Sequence, residues 1–256
     1  MLRPFEMHQP ESVEAASALV GRYGDEAALY AGGTELLLVM KEGLVRYRHL
    51  VDLKTIPGLG ALDYDAASRV LRIGGTVTHR ALERHPAVRE RFPIIAEVER
   101  QVANVRVRNV GTIGGNLCFA DPHADPGTLF LTFDAEVELA GPRGVRTVPM
   151  GAFFTGAYET ARQLDEVLTA VRLREGGPHT RWAYMKFGIH ERPTLGVAVA
   201  LTLDADRRGV EDVRIAVGCV GPTPARVPAA EEILRGTPLA EVDDRLERAA
   251  AAAAAA

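Results

Sequence analysis

The sequence lacks the features by which many metal proteins are recognised. It has only two cysteines, Cys118 and Cys219, among 256 residues. Neither lies in a CxxC pair or beside a histidine at ligand spacing. We therefore expect no zinc ion or iron–sulfur cluster to be held by this chain alone. Two reduced thiols are typical of an intracellular protein.

Lysine and long apolar runs are also scarce. Only Lys41, Lys54 and Lys186 are lysines, and the formal net charge is −4. Without a basic stripe, nucleic-acid binding is not expected. No run approaches the roughly 18 apolar residues of a membrane span, and the first ten residues lack the apolar core of a signal peptide. We expect a cytoplasmic protein without a membrane span.

Apolar periodicity predicts mixed helices and strands along the first hundred residues. The predicted helices are residues 11–24, 36–42, 78–84 and 93–102. The predicted strands are residues 27–31, 50–53 and 70–73. The next stretch, residues 105–126, shows neither periodicity, and we predict an irregular, functional segment there.

The second half is predicted to be richer in strands, with glycine and proline marking the turns. The predicted strands are residues 135–139, 145–148, 166–173, 181–187, 195–203 and 210–217. Two helices, residues 227–234 and 239–248, follow. The last eight residues are all alanine, which favours helix but carries no functional information.

Two turns with paired glycines are the most informative motifs. The first reads Ala-Gly-Gly-Thr-Glu over residues 31–35, and the second reads Thr-Ile-Gly-Gly-Asn over residues 112–116. Paired glycines let the backbone approach a ligand and present N–H groups to an anion. The first turn also leads into a predicted helix, whose N-terminus favours phosphate.

Neither turn matches the Rossmann or P-loop pattern. Each alone could be an ordinary turn. Two similar turns about 80 residues apart instead suggest a ligand with two phosphates clamped between them. This prediction requires the two segments to meet in the fold.

The motifs resemble those of a known family. Tyr-Ala-Gly-Gly-Thr-Glu-Leu over residues 30–36, Val-Arg-Asn-Val-Gly-Thr-Ile-Gly-Gly-Asn-Leu over residues 107–117, and Pro122 with Asp125 resemble the FAD-binding subunits of the molybdenum hydroxylases. That family includes the medium subunit of aerobic carbon monoxide dehydrogenase and the flavin domain of xanthine dehydrogenase. Residues 216–226 resemble the C-terminal domain of the same flavoproteins.

The resemblance implies an α+β, PCMH-like FAD-binding fold. Its expected parts are two α/β subdomains, residues 1–55 and 56–176, and a C-terminal domain, residues 177–256. The C-terminal domain is expected to contain a three-stranded antiparallel sheet and helices.

The resemblance also implies cofactor contacts. The first turn would hold the FAD diphosphate, and the second would form the other wall. The residues expected in these two turns are Ala31, Gly32, Gly33, Thr34, Glu35, Leu36, Thr112, Gly114, Gly115 and Asn116.

Four further residues are predicted at the cofactor. Asp125 would contact the ribityl or adenosine portion, although a helix N-cap before Pro126 explains it as well. Leu173 would pack on the isoalloxazine ring, with an ordinary core position as the alternative. Lys186 would lie near the flavin's polar edge, with a solvated strand end as the alternative. Val102 stands where some relatives have an aromatic residue that covers the flavin.

The segment after Lys186 also departs from the family's usual sequence. Residues 190–194 read His-Glu-Arg-Pro-Thr in place of a basic run that is commoner in the family.

The resemblance implies a role in electron transfer. A large subunit with molybdopterin would oxidise the substrate, and a small subunit with two 2Fe–2S clusters would pass electrons to FAD. FAD would then reduce NAD or a quinone-like acceptor, within a dimer of heterotrimers. We expect no general base or nucleophile in this chain.

Two alternatives remain open at this point. The first is a self-sufficient FAD-dependent oxidoreductase, which would not bring partner subunits through purification. The second is an assembly or scaffold subunit without flavin. The intact glycine pairs argue against the second, because such backbone geometry is costly to keep without a ligand.

Overall fold

The computed structural model describes residues 2–188 and 192–255. It contains both helices and sheets, arranged around three larger sheets. Strands are labelled β1 to β14 and helices α1 to α11 in chain order. No helix among the described residues is long and apolar enough to cross a bilayer.

The first sheet is small and parallel. Its strands are β1 (Glu6–His8), β2 (Ala27–Tyr30) and β3 (His49–Asp52), in the order β1-β3-β2. Helix α1 (Val13–Tyr23) connects β1 to β2, and helix α2 (Leu36–Glu42) connects β2 to β3. Ser12 caps α1 by accepting the Ala15 N–H, and the helix packs Ala16 and Val20 against Val51.

The second sheet is antiparallel, in the order β4-β5-β10-β6-β7. Its strands are β4 (Leu62–Asp65), β5 (Val70–Gly74), β6 (Glu136–Gly141), β7 (Gly144–Pro149) and β10 (Val167–Arg174). A separate short hairpin joins β8 (Phe154–Gly156) to β9 (Glu159–Thr160).

A group of short helices lies between the strands of this sheet along the chain. They are α3 (His79–Arg84), α4 (Pro86–Arg91), α5 (Pro93–Gln101), α6 (Val105–Val110), α7 (Ile113–Phe119), α8 (Asp125–Leu131) and α9 (Met150–Phe153). Their apolar side chains pack on the sheet in the largest core cluster, with Phe92, Phe130 and Ile113 fully buried. Burial of this cluster is the main favourable term in the stability of the middle of the chain.

The third sheet is antiparallel and lies in the C-terminal part. Its strands are β11 (Thr180–Phe187), β12 (Leu195–Leu203), β13 (Val210–Gly218) and β14 (Ala225–Arg226), in that order. Helices α10 (Pro228–Leu234) and α11 (Val242–Ala254) pack in a further apolar cluster with β13. The predicted α+β class is confirmed, and the two-residue β14 is an addition to the three strands expected.

The prediction of an irregular segment over residues 105–126 was wrong. Most of it is helical, in α6 and α7, with α8 beginning at Asp125. The division into residues 1–55, 56–176 and 177–256 stays a prediction.

Candidate functional site

The first glycine turn joins the end of β2 to the start of α2. Gly33 has a φ of +70°, a left-handed conformation that glycine adopts without strain. Lys54 stabilises the turn through two contacts. Its Nζ donates to the Ala31 carbonyl at 2.9 Å and lies 4.0 Å from the centre of the Tyr30 ring. Glu35 makes no side-chain capping hydrogen bond to α2. The Leu37 N–H donates to the Gly33 carbonyl at 3.1 Å, whereas no hydrogen bond is found for the Gly33, Thr34 and Leu36 N–H groups among residues 2–188 and 192–255. Those three N–H groups are available to a ligand.

The second glycine turn is the first turn of helix α7. Thr112 is its N-cap, and its Oγ1 accepts the Gly115 N–H at 3.1 Å. The Gly114 N–H donates to the Gly75 carbonyl at 3.0 Å, and the Ile113 N–H donates to the Val77 carbonyl at 2.9 Å. The amides of the second pair are thus already paired within the protein.

The first turn lies in direct contact with the residues that immediately precede the second turn. A Cβ on Gly32 would be 2.3 Å from the Val110 carbonyl oxygen, and a Cβ on Gly111 would be 3.4 Å from Thr34 Oγ1. Only glycine at position 32 permits this approach of backbone to backbone. The turns therefore meet in the fold despite their separation in sequence.

A cavity of about 740 Å³ lies beside the contact between the turns. This volume is within the range of small-molecule and cofactor sites. Most of the predicted site residues line it, namely Ala31, Gly32, Gly33, Thr34, Glu35, Leu36, Val102, Thr112, Gly114, Gly115 and Asn116.

Three predicted residues do not line this cavity. Leu173 is 1% exposed and packs in the core, paired with Leu71 of the neighbouring strand. Asp125 and Lys186 form a buried ion pair, with 2.9 Å between Nζ and Oδ2. Asp125 is the first residue of α8, and Ala124 is the N-cap.

The buried ion pair is part of a small network behind the cavity wall. Asp125 Oδ1 accepts the Tyr184 hydroxyl at 2.8 Å, and Lys186 Nζ donates to the Gln101 carbonyl at 3.1 Å. Burial raises the pKa of Tyr184, and the charge of Asp125 adds to the rise, so the hydroxyl stays a donor. The network fixes the end of α5, next to Val102 in the cavity wall.

An arginine from the C-terminal part bridges two sides of the cavity. Arg192 donates to both carboxylate oxygens of Glu35, at 2.9 and 3.0 Å. It also pairs with Asp121. Because the guanidinium neutralises Glu35, the first turn does not present an uncompensated negative charge to a phosphate. His190 and Glu191, which belong with Arg192 to the 190–194 segment that departs from the family pattern, lie outside the described residues.

The buried histidine His79 contacts the backbone just before the second turn. His79 Nδ1 lies 2.6 Å from Glu99 Oε2, and both side chains are almost fully buried. The His79 N–H donates to the Gly111 carbonyl at 3.0 Å, and its ring lines the cavity. These contacts fasten the start of α3 to the second turn.

One orphaned polar atom lies in the cavity wall. Asn116 Oδ1 is buried, and no donor for it is found among residues 2–188 and 192–255. A buried acceptor without a partner is costly. A ligand that donates a hydrogen bond there would remove this cost.

The two thiols are not activated. Burial raises the pKa of Cys118, which lines the cavity. Burial, followed by the charge of Asp125, raises the pKa of Cys219 to about 12. Because the thiolate is the reactive form of cysteine, neither residue is a nucleophile at neutral pH.

Several cavity residues were not predicted from the sequence. Most of them are distant in sequence from the two glycine turns, so no local motif marks them. Phe119 and Asp121 lie in the 105–126 segment, and Arg192 lies in the 190–194 segment. The main ones are Tyr47, Gly75, His79, Phe119, Asp121, Arg162 and Arg192.

Two family models together match nearly the whole chain. Residues 3–173 match the FAD binding domain in molybdopterin dehydrogenase. Residues 183–256 match the CO dehydrogenase flavoprotein C-terminal domain.

Named relatives agree with these models. The carbon monoxide dehydrogenase medium chain of Hydrogenophaga pseudoflava is 37% identical over 87% of this chain and 77% of the relative. A putative xanthine dehydrogenase FAD-binding subunit of Escherichia coli is 33% identical over 84% and 74%. The nicotine 6-hydroxylase medium subunit of Paenarthrobacter nicotinovorans is 34% identical over 96% and 84%.

Solved structures show the same fold. The carbon monoxide dehydrogenase of Hydrogenophaga pseudoflava that lacks the Mo-pyranopterin moiety matches with a TM-score of 0.95 and 36% identity, covering 100% of this chain and 88% of the matched one. Quinoline 2-oxidoreductase from Pseudomonas putida matches with a TM-score of 0.90 and 28% identity, covering 99% and 86%.

The fold and the cavity thus define a flavoprotein component of an oxidoreductase. More particularly, the chain belongs to the FAD-binding subunits of the molybdenum hydroxylase family, whose members include carbon monoxide and xanthine dehydrogenases.

Proposed function

We propose that this chain is the electron-transfer subunit of a molybdenum hydroxylase. It receives electrons from iron–sulfur clusters on a small subunit, which are reduced by a molybdopterin-containing large subunit. It passes them to an external acceptor, NAD or a quinone-like carrier. The observation that carries the proposal is the cavity at the meeting point of the two glycine turns.

The residues present fit FAD at this cavity. The N–H groups of Gly33, Thr34 and Leu36, which are unbonded among the described residues, suit a diphosphate, because amides and the helix N-terminus favour negative charge. Asn116 Oδ1 offers an unpaired acceptor to a donor on the cofactor. When bound, FAD supplies the chemistry that connects one-electron to two-electron transfer.

The two turns are proposed to act differently on the cofactor. Residues 32–35 of the first turn bind the diphosphate through main-chain N–H groups and Thr34 Oγ1. In the second turn, Gly115 is exposed at the cavity surface and leaves room for close approach. Thr112 keeps that surface in place by capping α7.

The three predicted residues outside the cavity are proposed to act at a distance from the diphosphate. Lys186 and Asp125 position Val102 through the bond to the Gln101 carbonyl. Leu173 keeps the central strand β10 packed behind the cavity. A direct contact of these residues with the flavin stays a prediction.

Two observations support partner subunits. Relatives such as the nicotine 6-hydroxylase protein are named medium subunits or medium chains. Met185 and Phe187 on the edge strand β11 are 76% and 65% exposed, and exposed apolar side chains on a sheet edge favour a covering partner. We propose a dimer of heterotrimers.

Co-purification from the native source tests the proposal. We expect the chain to carry yellow flavin and to bring iron–sulfur and molybdenum polypeptides with it. A flavin-containing chain that oxidises a substrate without these partners would instead be a self-sufficient oxidoreductase. Protein that stays colourless after incubation with FAD would overturn the flavin function altogether.

A reoxidation experiment identifies the acceptor. The purified complex is reduced anaerobically with dithionite, freed of excess reductant, and mixed with NAD or with a soluble quinone. Recovery of the flavin absorbance with one of them identifies that acceptor. Recovery with neither would overturn the proposed choice of acceptors while leaving FAD binding intact.

A further inference from the structure

Three potential metal ligands meet at the N-terminal end of the first sheet. Strands β1 and β3 are parallel neighbours, with Glu6 paired to His49 and His8 paired to Val51. Because side chains alternate along a strand, Glu6, His8 and His49 project from the same face. The pairing of β1 with β3 therefore gathers two imidazoles and a carboxylate that lie far apart in sequence.

The separations between the ligand atoms suit a tetrahedral ion. His8 Nε2 lies 3.0 Å from His49 Nδ1 and 3.9 Å from Glu6 Oε2, and His49 Nδ1 lies 3.4 Å from Glu6 Oε2. Zinc bound at about 2.0–2.2 Å in tetrahedral geometry separates its ligands by roughly 3.4 Å. Of the three observed distances, one equals that value, one is shorter and one is longer.

The ring of Tyr23 stacks on the imidazoles of His8 and His49. Tyr23, the last residue of α1, stacks on His49 with 3.7 Å between ring centroids and 16° between ring planes. It also stacks on His8 at 5.3 Å. Ligands that are held in place before binding lose less entropy when the ion arrives.

The cluster is open on one side only. The side chains of His8 and His49 are 13% and 17% exposed, whereas that of Glu6 is 65% exposed. The imidazoles are therefore shielded, and the side toward Glu6 faces solvent. A fourth ligand, such as water, can approach from there.

We propose that Glu6, His8 and His49 form a divalent transition-metal site, with zinc as its natural occupant. Two neutral imidazoles and one carboxylate are the ligand set of many zinc sites with an open fourth position. None of the three residues lines the cavity of the proposed flavin site. The proposal is therefore independent of the proposed function.

This proposal revises the expectation that the chain holds no metal. That expectation came from cysteine counts and local ligand spacing. Here His8 and His49 are 41 positions apart, so only the strand pairing reveals the cluster. Bound metal would join β1 to β3 at an edge of the sheet where β1 has only three residues.

Metal titration of the full chain tests the site. Protein stripped with a chelator is titrated with Zn²⁺ against a chromophoric indicator, and separately with Co²⁺. We expect one Zn²⁺ per chain and the intense visible absorption of four-coordinate Co²⁺. His49→Gln is expected to weaken zinc binding by more than about 100-fold. Mutation of a residue that only hydrogen-bonds to a metal ligand already lowers metal affinity by about 10–100-fold.

Matched variants separate a metal site from a folding effect. Glu6→Gln removes a ligand at an exposed position and is expected to weaken zinc binding at least about 10-fold without changing the circular dichroism spectrum. His179→Gln, which changes a half-buried histidine outside the cluster, should leave zinc binding unchanged. Flavin content, measured on the same samples, should not change with Glu6→Gln.

Two outcomes would overturn the proposal. One is wild-type protein that binds no stoichiometric Zn²⁺ and gives no Co²⁺ absorption; the cluster is then a hydrogen-bonded histidine pair. The other is folded Glu6→Gln and His49→Gln protein that binds zinc as tightly as the wild type. If His49→Gln does not fold, the Glu6→Gln result decides alone.

Discussion

The two glycine turns look alike in sequence but differ in what their backbones do. In the first turn, the N–H groups of Gly33, Thr34 and Leu36 have no hydrogen bond among the described residues, and Gly33 has a left-handed φ. In the second turn, the N–H groups of Gly114 and Gly115 are already bonded to Gly75 and Thr112. The same motif thus leaves backbone N–H groups unbonded in one place and serves close packing in the other.

The glycines of the second turn also differ from each other. A Cβ on Gly114 would lie 2.5 Å from the Gly75 carbonyl oxygen, which is backbone and cannot move aside. A Cβ on Gly115 would meet only Thr112 Oγ1, at 2.7 Å. Gly114 is therefore required by the fold, whereas Gly115 is the glycine exposed at the cavity. Four predictions test this division, from the largest effect to the smallest.

Gly115→Val is expected to abolish FAD retention while the fold is largely kept. The branched side chain would occupy the surface that the diphosphate approaches, and its Cβ would meet the Thr112 side chain rather than backbone outside the helix. Flavin absorbance, measured beside circular dichroism, checks the result. Gly21→Val is the matched control, because Gly21 lies in α1 and a Cβ added there would meet open space. Normal flavin content in Gly115→Val would refute the placement of the second turn.

Gly114→Ala is expected to lower the free energy of unfolding by about 3 kcal/mol, the upper range for overpacking. The added methyl group must displace the strand end at Gly75. Urea denaturation measures the loss. Gly115→Ala should change stability by less than about 1 kcal/mol. Equal losses in the two variants would show that the two glycines do not differ as described.

Gly43→Ala is expected to cost about 1–2 kcal/mol, because Gly43 is left-handed. Gly33→Ala is expected to cost more, because Gly33 is also left-handed and an added Cβ would lie 2.4 Å from the Tyr30 ring. Only Gly33→Ala should also weaken FAD binding, since Gly43 ends α2 away from the cavity. Flavin titration of both variants measures this difference. Weakened binding in both would mean that the whole of α2, and not the first turn, holds the cofactor.

Thr112→Val is expected to destabilise the protein by about 1 kcal/mol, the usual value of a helix N-cap. Thermal unfolding measures the loss, and Thr112→Ser should restore most of it because serine keeps the accepting oxygen. Ser12→Ala, which removes the cap of α1, should cost a similar amount and leave flavin content unchanged. No loss in Thr112→Val would show that the cap does not hold the second turn.

The sequence predicted the elements with clear apolar periodicity. Strands β12 and β13 and helix α2 lie where alternation or helical spacing placed them. Helix α7 was missed because two glycines lower its intrinsic helix propensity. Thr112 and the bonds to Gly75 and Val77 stabilise it instead, and the last two are tertiary contacts that a local pattern does not contain.

The candidate site was predicted where motifs are local and missed where contacts are distant. Both glycine turns line the cavity, as their spacing suggested. His79 and Arg192 reach the same cavity from elsewhere in the chain. His79 belongs to no recognisable motif, and Arg192 lies in the 190–194 segment, which the sequence marked only as a departure from the family pattern. Leu173 ends a buried strand, and sequence alone does not tell which of its neighbours it touches.

The bridge from Arg192 to Glu35 and Asp121 has a consequence for biogenesis. The guanidinium comes from the segment between β11 and β12, whereas its two carboxylate partners lie in the first half of the chain. During synthesis, the first turn acquires its final electrostatic surroundings only after residue 192 has left the ribosome. We therefore expect cofactor uptake to be a late event, and nascent chains that end before β12 should fail to capture FAD.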